Sequence, residues 1–380
     1  MIYLNNAATT LQKPPCVARA VAESMGQLGS CARGGHGREL DAARTVFHAR
    51  EAMARLLGFS HPERVIFTAN ATQALNTALF GLLNPGDHVI ATDWDHNSVL
   101  RPLHVLARER GVAVDFLPAD GAGRLRYELL EGLVRPETRL LVCTHASNLT
   151  GNLLDVERAA SFARRHGLFF LLDTAQTAGS TPISMEGWGI DLLAFTGHKG
   201  LMGPQGTGGL CVAPRVALRP LLSGGTGVRS FEEEQPAEYP EHLEAGTLNG
   251  HGLAGLGAAV DFILDTGVEA IHAHELALTK RFVRGLEGVP GITLYGDFSG
   301  DRAPVAALNL AGWDPAAAAD VLATDYDIAV RPGIHCAPRM HRALGTGDRG
   351  CLRFSFGFYT GEGDIDAALA ALKEMAEPCG

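Results

Sequence analysis

The chain has 380 residues and a formal charge of −10, from 42 acidic against 32 basic side chains. That balance gives no footing for a nucleic-acid backbone or an anionic membrane surface, so neither is expected as a partner, and any phosphate must be held locally. The longest apolar runs, such as 167–172, fall well short of the ~20 residues a membrane span needs, and no charged-then-apolar leader is seen; a cytoplasmic location is expected.

Seven scattered cysteines, an odd number with no Cys-x-x-Cys pair, argue against a disulfide framework or a structural zinc site. Reduced thiols are expected, with Cys379 near the end reading as part of a frayed tail. The length exceeds the ~250–300 residues at which single cores stop growing, so two domains are expected.

In chain order, apolar runs at 64–68, 88–91, 140–144 and 168–172 alternate with amphipathic helical patterns at 73–83, 103–110 and 156–165. The alternation predicts an α/β fold, a mostly parallel sheet covered by helices on both faces, with ligands at the carboxyl ends of its strands. The stretch 224–240 reads as an irregular solvated excursion, either a loop over a pocket or a subunit contact. From about Gly257 the pattern turns to a long helix, strands at 292–295 and 305–310, a helix at 315–324, a strand at 328–330 and a last helix at 363–376. A large domain over 13–256 is therefore expected, beside a smaller α+β domain made of 257–380 with residues 1–12 crossing over to join it.

Two places carry chemistry on their own terms. Leu171-Leu172-Asp173 puts a carboxylate at the end of a very apolar strand, where it needs a cationic partner. Ala194-Phe195-Thr196-Gly197-His198-Lys199-Gly200 ends another apolar run in a hydroxyl, an imidazole and a lysine among glycines, which suits a Schiff-base lysine approached by a bulky cofactor. Either residue alone reads as half of a buried structural salt bridge; the two together match the way a protein tunes pyridoxal phosphate, with an acid on the ring nitrogen and a lysine on the aldehyde. The following glycine-rich run at 203–209 lacks the frame of a dinucleotide fingerprint and the lysine of a P-loop, and reads as a turn after the lysine.

Arg353 is a guanidinium within an apolar strand-like run, suited to gripping an α-carboxylate or, alternatively, snorkelling from a sheet edge. Arg331-Pro332-Gly333-Ile334-His335-Cys336-Ala337-Pro338 should be a loop exposing Cys336, with Arg331 and His335 near enough in sequence to favour the thiolate. A metal site from His335, Cys336 and His341 lacks a fourth ligand at a sensible spacing, and no metal is expected.

Taken in order, Tyr3–Ala8, Thr68–Asn76, Asp95-His96-Asn97, His145–Asn148, Asp173-x-Ala175-Gln176, Thr196–Lys199, Glu244-Ala245-Gly246-Thr247 and Arg331-x-Gly333-x-His335-Cys336-Ala337 resemble the cysteine desulfurases of the class V aminotransferase superfamily, over nearly the whole chain. The compact cysteine loop is similar to that of the group II, or Suf-type, desulfurases and selenocysteine lyase-like proteins. The resemblance implies pyridoxal-phosphate transferase fold type I and pyridoxal 5'-phosphate held by Lys199. It implies Ala71 and Thr72, with Thr196 and His198, at the cofactor phosphate; His96 stacked on the ring; Asp173 on its nitrogen; and Asn148 and Gln176 near its phenolic oxygen. By the same likeness Thr247 would reach the phosphate of a neighbouring subunit, making a homodimer, while Arg353, Arg331 and Asn148 would bind substrate. The implied reaction converts L-cysteine, or L-selenocysteine, to alanine, with sulfur carried as a persulfide on Cys336 to an acceptor protein or thiol, as in iron–sulfur cluster assembly. The rivals are selenocysteine lysis, cysteine-conjugate lysis or transamination with Cys336 a bystander, and an idle cofactor-binding partner in sulfur trafficking.

Overall fold

The computed structural model describes residues 1–29 and 37–377; Cys31 and Cys379 lie outside the described residues. A short strand, β1 (Ile2–Tyr3), leads into two helices, α1 (Pro15–Gln27) and α2 (Gly37–Leu56). The α/β alternation follows: β2 (Val65–Thr68), α3 (Ala71–Leu82), β3 (His88–Thr92), α4 (Asn97–Arg110), β4 (Ala113–Leu117), β5 (Thr138–Thr144), α5 (Val156–Arg165), β6 (Phe169–Asp173), α6 (Met185–Trp188), β7 (Leu192–Thr196) and β8 (Gly208–Val212). These strands form a seven-stranded sheet in the order β2-β8-β7-β6-β5-β3-β4.

Period-two alternation splits the sheet between two cores. Leu140 and Val142 of β5 and Leu192 and Ala194 of β7 face one cluster, while Leu141, Cys143, Leu193 and Phe195 face the other. Each such buried leucine contributes roughly 1.5–3 kcal/mol. The helices end where local chemistry tells them to. Asp155 caps α5 by accepting the Arg158 N–H at 3.0 Å, and Gly111 closes α4 in the left-handed region behind Arg108 and Arg110.

The sheet departs from the expected one at β8, which runs antiparallel to both neighbours, β2 and β7. Its first residues, Gly208 and Gly209, belong to the run expected to be a turn. They are glycine because of packing: a Cβ on Gly208 would lie 2.7 Å from Asn70 Cα, and one on Gly209 would lie 2.4 Å from the Phe195 ring. The turn itself covers only 203–207.

Beyond 249 come α7 (Gly250–Thr266), α8 (Val268–Leu286), β9 (Ile292–Tyr295), β10 (Val305–Leu310), α9 (Pro315–Asp325), β11 (Ile328–Ala329), β12 (Arg331–Gly333), α10 (Pro338–Ala343), β13 (Cys351–Ser355) and α11 (Glu362–Ala376). The expected long helix breaks in two at Gly267, φ +88°. Helix α7 runs unbroken through residues 256 and 257 and packs on α1 and α2. A four-stranded antiparallel sheet, β12-β13-β10-β9, has its own core around Leu4, Phe282, Leu308 and Phe354, and β1 pairs in parallel with β11. No described helix is long and apolar enough to cross a membrane.

Candidate active site

The carboxyl ends of β2, β3, β5, β6 and β7 open on one cavity of about 230 Å³, closed on its other sides by Ala7, Ala8, Arg331 and Arg353. It gathers Ala71, Thr72, His96, Asn148, Asp173, Gln176, Thr196, His198, Lys199, Arg331 and Arg353, which is every candidate site residue except Thr247 and Cys336.

At one end lies the start of α3. Asn70 caps that helix by accepting the Gln73 N–H at 3.0 Å, which leaves the N–H groups of Ala71 and Thr72 at the cavity. Beside them, Thr196 Oγ1 and His198 Nδ1 are buried without a hydrogen-bond partner. Burial first, then the charges of Lys199 and Lys13, hold His198 down to about 4, so its ring is neutral. An anion with several acceptor oxygens satisfies this set of donors.

On one wall His96 caps α4: its Nδ1 accepts the Ser98 N–H at 3.1 Å, so the proton of the neutral ring sits on Nε2. Burial and the nearby Lys199 hold its pKa to about 4. Ser98 Oγ also meets Thr72 Oγ1 at 2.8 Å, tying the two helix starts together. Asp95 is fully buried and accepts from Thr92 N at 2.6 Å and Thr144 Oγ1 at 2.9 Å, which locks the loop that presents His96.

Asp173 and Lys199 end adjacent strands or follow them directly. The Asp173 carboxylate accepts the Ala175 N–H at 2.9 Å, its one hydrogen bond among the described residues, and burial raises its pKa against the pull of that bond and of Lys199. Lys199 has its amine lowered to about 8, first by burial, with Asp173 opposing and Arg353 and Arg331 adding repulsion. Its side chain keeps some accessible surface because it borders the cavity rather than bulk solvent. An amine lowered to about 8 and a buried acid with one backbone hydrogen bond fit an aldehyde cofactor with a basic ring nitrogen.

Arg353 is 1 % exposed, and its hydrogen bonds go to the carbonyl of Asn148 at 2.9 Å and to Asn5 Oδ1 at 3.4 Å, with Nε unpartnered. Burial and then Arg331 depress its pKa to about 9. A buried guanidinium with no carboxylate partner among the described residues calls for an anionic ligand. Asn148 donates to His335 O at 2.6 Å and leaves Oδ1 free, and Gln176 donates to Ala7 O at 3.2 Å.

Cys336 lies just outside the lining, close enough for its charge to act on Lys199 and Arg353. It is partly exposed, and both it and His335 adopt left-handed backbone, φ +56° and +54°. Its carbonyl accepts the Asn97 N–H at 3.0 Å, which moors the loop to the start of α4. His335 does not play the part expected of it: it turns inward, 3 % exposed, stacks on His341, and burial drives its pKa far down, so it is neutral and lends the Cys336 sulfur no positive charge. No cluster of three or more His, Cys, Asp or Glu suited to a metal occurs among the described residues.

Thr247 lines a second cavity with Thr68, Ala69 and Gln73, on the far side of the α3 start. Its loop is bolted down by Glu244, which accepts from the edge-strand N–H of Phe67 at 2.6 Å and pairs with Arg50 at 2.6 Å, both ion partners buried. Sequence reasoning missed Arg50, Thr144, Ser98 and Lys13. Thr144, in register with Asp173, was signalled by a hydroxyl closing an apolar strand; Lys13, which donates to His198 O at 3.1 Å and is lowered to about 8 by burial, had no local signal.

A seven-stranded α/β sheet with a lysine and a lone acid at adjoining strand ends defines an enzyme that works on amines through a carbonyl cofactor. The chain belongs to the Aminotransferase class-V family, whose model matches residues 2–368. It is 35% identical over 384 residues to a probable cysteine desulfurase of Methanothermobacter thermautotrophicus, across 99% of this chain and 94% of that protein. Its structure is similar to the apo cysteine desulfurase of Thermococcus onnurineus NA1, with TM-score 0.92 and 31% identity over 99% of this chain and 94% of that one. It is also similar to the cysteine desulfurase CsdA of Escherichia coli, with TM-score 0.88 and 30% identity over 98% and 94%. The fold is thus type I of the pyridoxal-phosphate transferases.

Proposed function

We propose that this protein is a pyridoxal-phosphate-dependent cysteine desulfurase, turning L-cysteine into L-alanine and leaving the sulfur on Cys336. The observation that carries the reading is the meeting of Lys199, Asp173 and an unpaired Arg353 in one cavity. The full-length likeness to named desulfurases supports it.

When bound, pyridoxal phosphate supplies an aldehyde that holds an amine and a ring that accepts the electrons of a bond broken at Cα. Ala71, Thr72, Thr196 and His198 would hold its phosphate, Asp173 would keep the proton on its ring nitrogen, His96 would offer a flat uncharged face, and Asn148 and Gln176 would serve its phenolic oxygen. Lys199 would hold the aldehyde and would move the Cα proton of the substrate. Arg353, with Arg331 and Asn148, grips the substrate carboxylate. Cys336 Sγ bonds to the substrate sulfur as that sulfur's bond to Cβ breaks. The balance is L-cysteine plus a thiol giving alanine plus a persulfide, which a protein or small-thiol acceptor then takes.

A homodimer in which Thr247 reaches the partner's phosphate belongs to this reading, supported by the separate cavity where Thr247 sits. So do a large domain over 13–256 and a small one made of 1–12 and 257–380, supported by the two separate sheets. A cytoplasmic setting fits the free state of the five described cysteines.

The position of Cys336 outside the cavity lining favours a second reading, in which the same site lyses or transaminates an amino acid with the thiol as bystander. Borohydride reduction and peptide mass mapping test the first step: the cofactor must appear on Lys199. Incubation with L-cysteine then tests the second, with alanine formed and a gain of one sulfur, about 32 Da, on the Cys336 peptide. Sulfur release without that adduct supports the bystander reading.

A further inference from the structure

Behind Lys199, on the side away from the main cavity, is a second and much smaller one of about 20 Å³, room for one group the size of a water or an ammonium. Lys199, Gln176 and Ala7 border both. Its remaining walls include Asn6, Thr10, Ser180, Ser355 and Glu275 of α8. Glu275 is 4 % exposed, and its Oε2 has no hydrogen-bond partner.

The hydroxyl donors around this space are already spent. Thr10 Oγ1 donates to His198 O at 3.1 Å, Ser355 Oγ to Leu4 O at 3.4 Å and Ser180 Oγ to Thr177 O at 3.4 Å, while Asn6 Nδ2 donates to Ser355 O at 3.1 Å. Apart from the second N–H of Gln176 Nε2, the side chains on its wall offer acceptor capacity and one carboxyl group, and among the described residues Lys199 is the one cationic residue there. The other titratable groups nearby are held elsewhere: Lys13 on Thr10 and His198 O, His272 between Ser180 O and Asp301, and His274 on Thr360 O.

We propose that Glu275 and this cavity form the resting site of the Lys199 amine in the cofactor-free protein, with Glu275 as its counter-ion. The inference rests on the cofactor reading above. In the main cavity a free ammonium faces two guanidiniums, Arg331 and Arg353, which repel it, against one carboxylate, Asp173, which attracts it. In the rear cavity it finds acceptors and, among the described residues, no rival cation. The proton balance closes within the pair: a proton passes from the Glu275 carboxyl to the neutral Lys199 amine, the O–H bond breaking as an N–H bond forms, and the reverse transfer returns the amine to its neutral form. Burial supports the exchange, since it raises the Glu275 acid well above its ordinary range and lowers the Lys199 amine to about 8, bringing the two proton affinities together.

The test uses the full chain without cofactor, labelled with trace acetic anhydride across pH, the Lys199 peptide being quantified against its denatured counterpart. In Glu275→Gln the amine loses its counter-ion and titrates lower, so Lys199 labels several-fold faster near pH 7, in proportion to its larger neutral fraction. Glu275→Asp, which keeps the charge one methylene back, gives an intermediate profile and serves if the glutamine variant does not fold. Identical profiles for the wild type and the variant, or a displacement to higher pH, overturn the proposal. Borohydride mapping of wild-type Lys199 judges the cofactor reading separately, so either can fail alone.

Discussion

Arg331 and Arg353 stand directly opposite each other across β12 and β13, two guanidiniums in one cross-strand pair. Like charges so placed destabilise a sheet unless an anion lies between them. In the proposed function the substrate carboxylate is that anion, and a lysine would not replace the fork that receives it. Arg353→Lys is expected to lower kcat/KM for L-cysteine by on the order of 100-fold, about 2.7 kcal/mol. In the same comparison, saturating alanine should raise the Tm of the wild type and leave that of the variant unmoved. An unchanged kcat/KM removes Arg353 from substrate binding.

Cys336 sits in left-handed backbone, which alanine adopts at a similar cost, so Cys336→Ala isolates the thiol. The variant is expected to bind cofactor with the wild-type spectrum and to form alanine from L-cysteine on the order of 100-fold more slowly, with no sulfur adduct. Alanine formation at the wild-type rate assigns the thiol no chemical role.

His145 is buried, meets Thr177 Oγ1 at 2.8 Å, and is lowered to about 4, chiefly by burial. Its folded pKa lies below the unfolded value of 6.5. The unfolded chain therefore takes up the proton first, and the contribution of this histidine to stability is complete above 6.5 and lost as pH falls toward 4. The unfolding free energy of the wild type minus that of His145→Gln should shrink by about 3 kcal/mol over that window in urea titrations. A pH-independent difference contradicts the assignment.

Strand β8 admits no side chain at Gly209, where a Cβ would come within 2.6 Å of the Ile66 carbonyl. Gly209→Ala is expected to reduce stability by roughly 1–3 kcal/mol. Because β8 lies between the strands that feed Asn70 and Lys199 into the site, it should also weaken cofactor retention, measured by equilibrium dialysis.

The parts of this protein legible in its sequence are those that repeat a local rule. Runs such as 140–144 and 168–172 announce buried strands because their apolar residues are continuous, and the carboxylate and lysine at strand ends stand out against them. β8 escaped because close packing selected glycine, which mimics a turn. His335 misled because adjacency in sequence says nothing of which way a ring turns once the backbone enters the left-handed region. Arg50 and Glu244, 194 residues apart, and Glu275, buried on an otherwise ordinary helix, carry meaning only through partners that no spacing rule connects.

Residues 4–10 thread through the whole molecule. Leu4 and Asn6 bond to Ser355, and Thr10 to His198, while Ala7 and Ala8 wall the main cavity. A segment made early thus waits for partners that leave the ribosome long afterwards. During synthesis this enzyme can hold no finished pocket, and a nascent chain is protected from premature chemistry by the order in which it is translated.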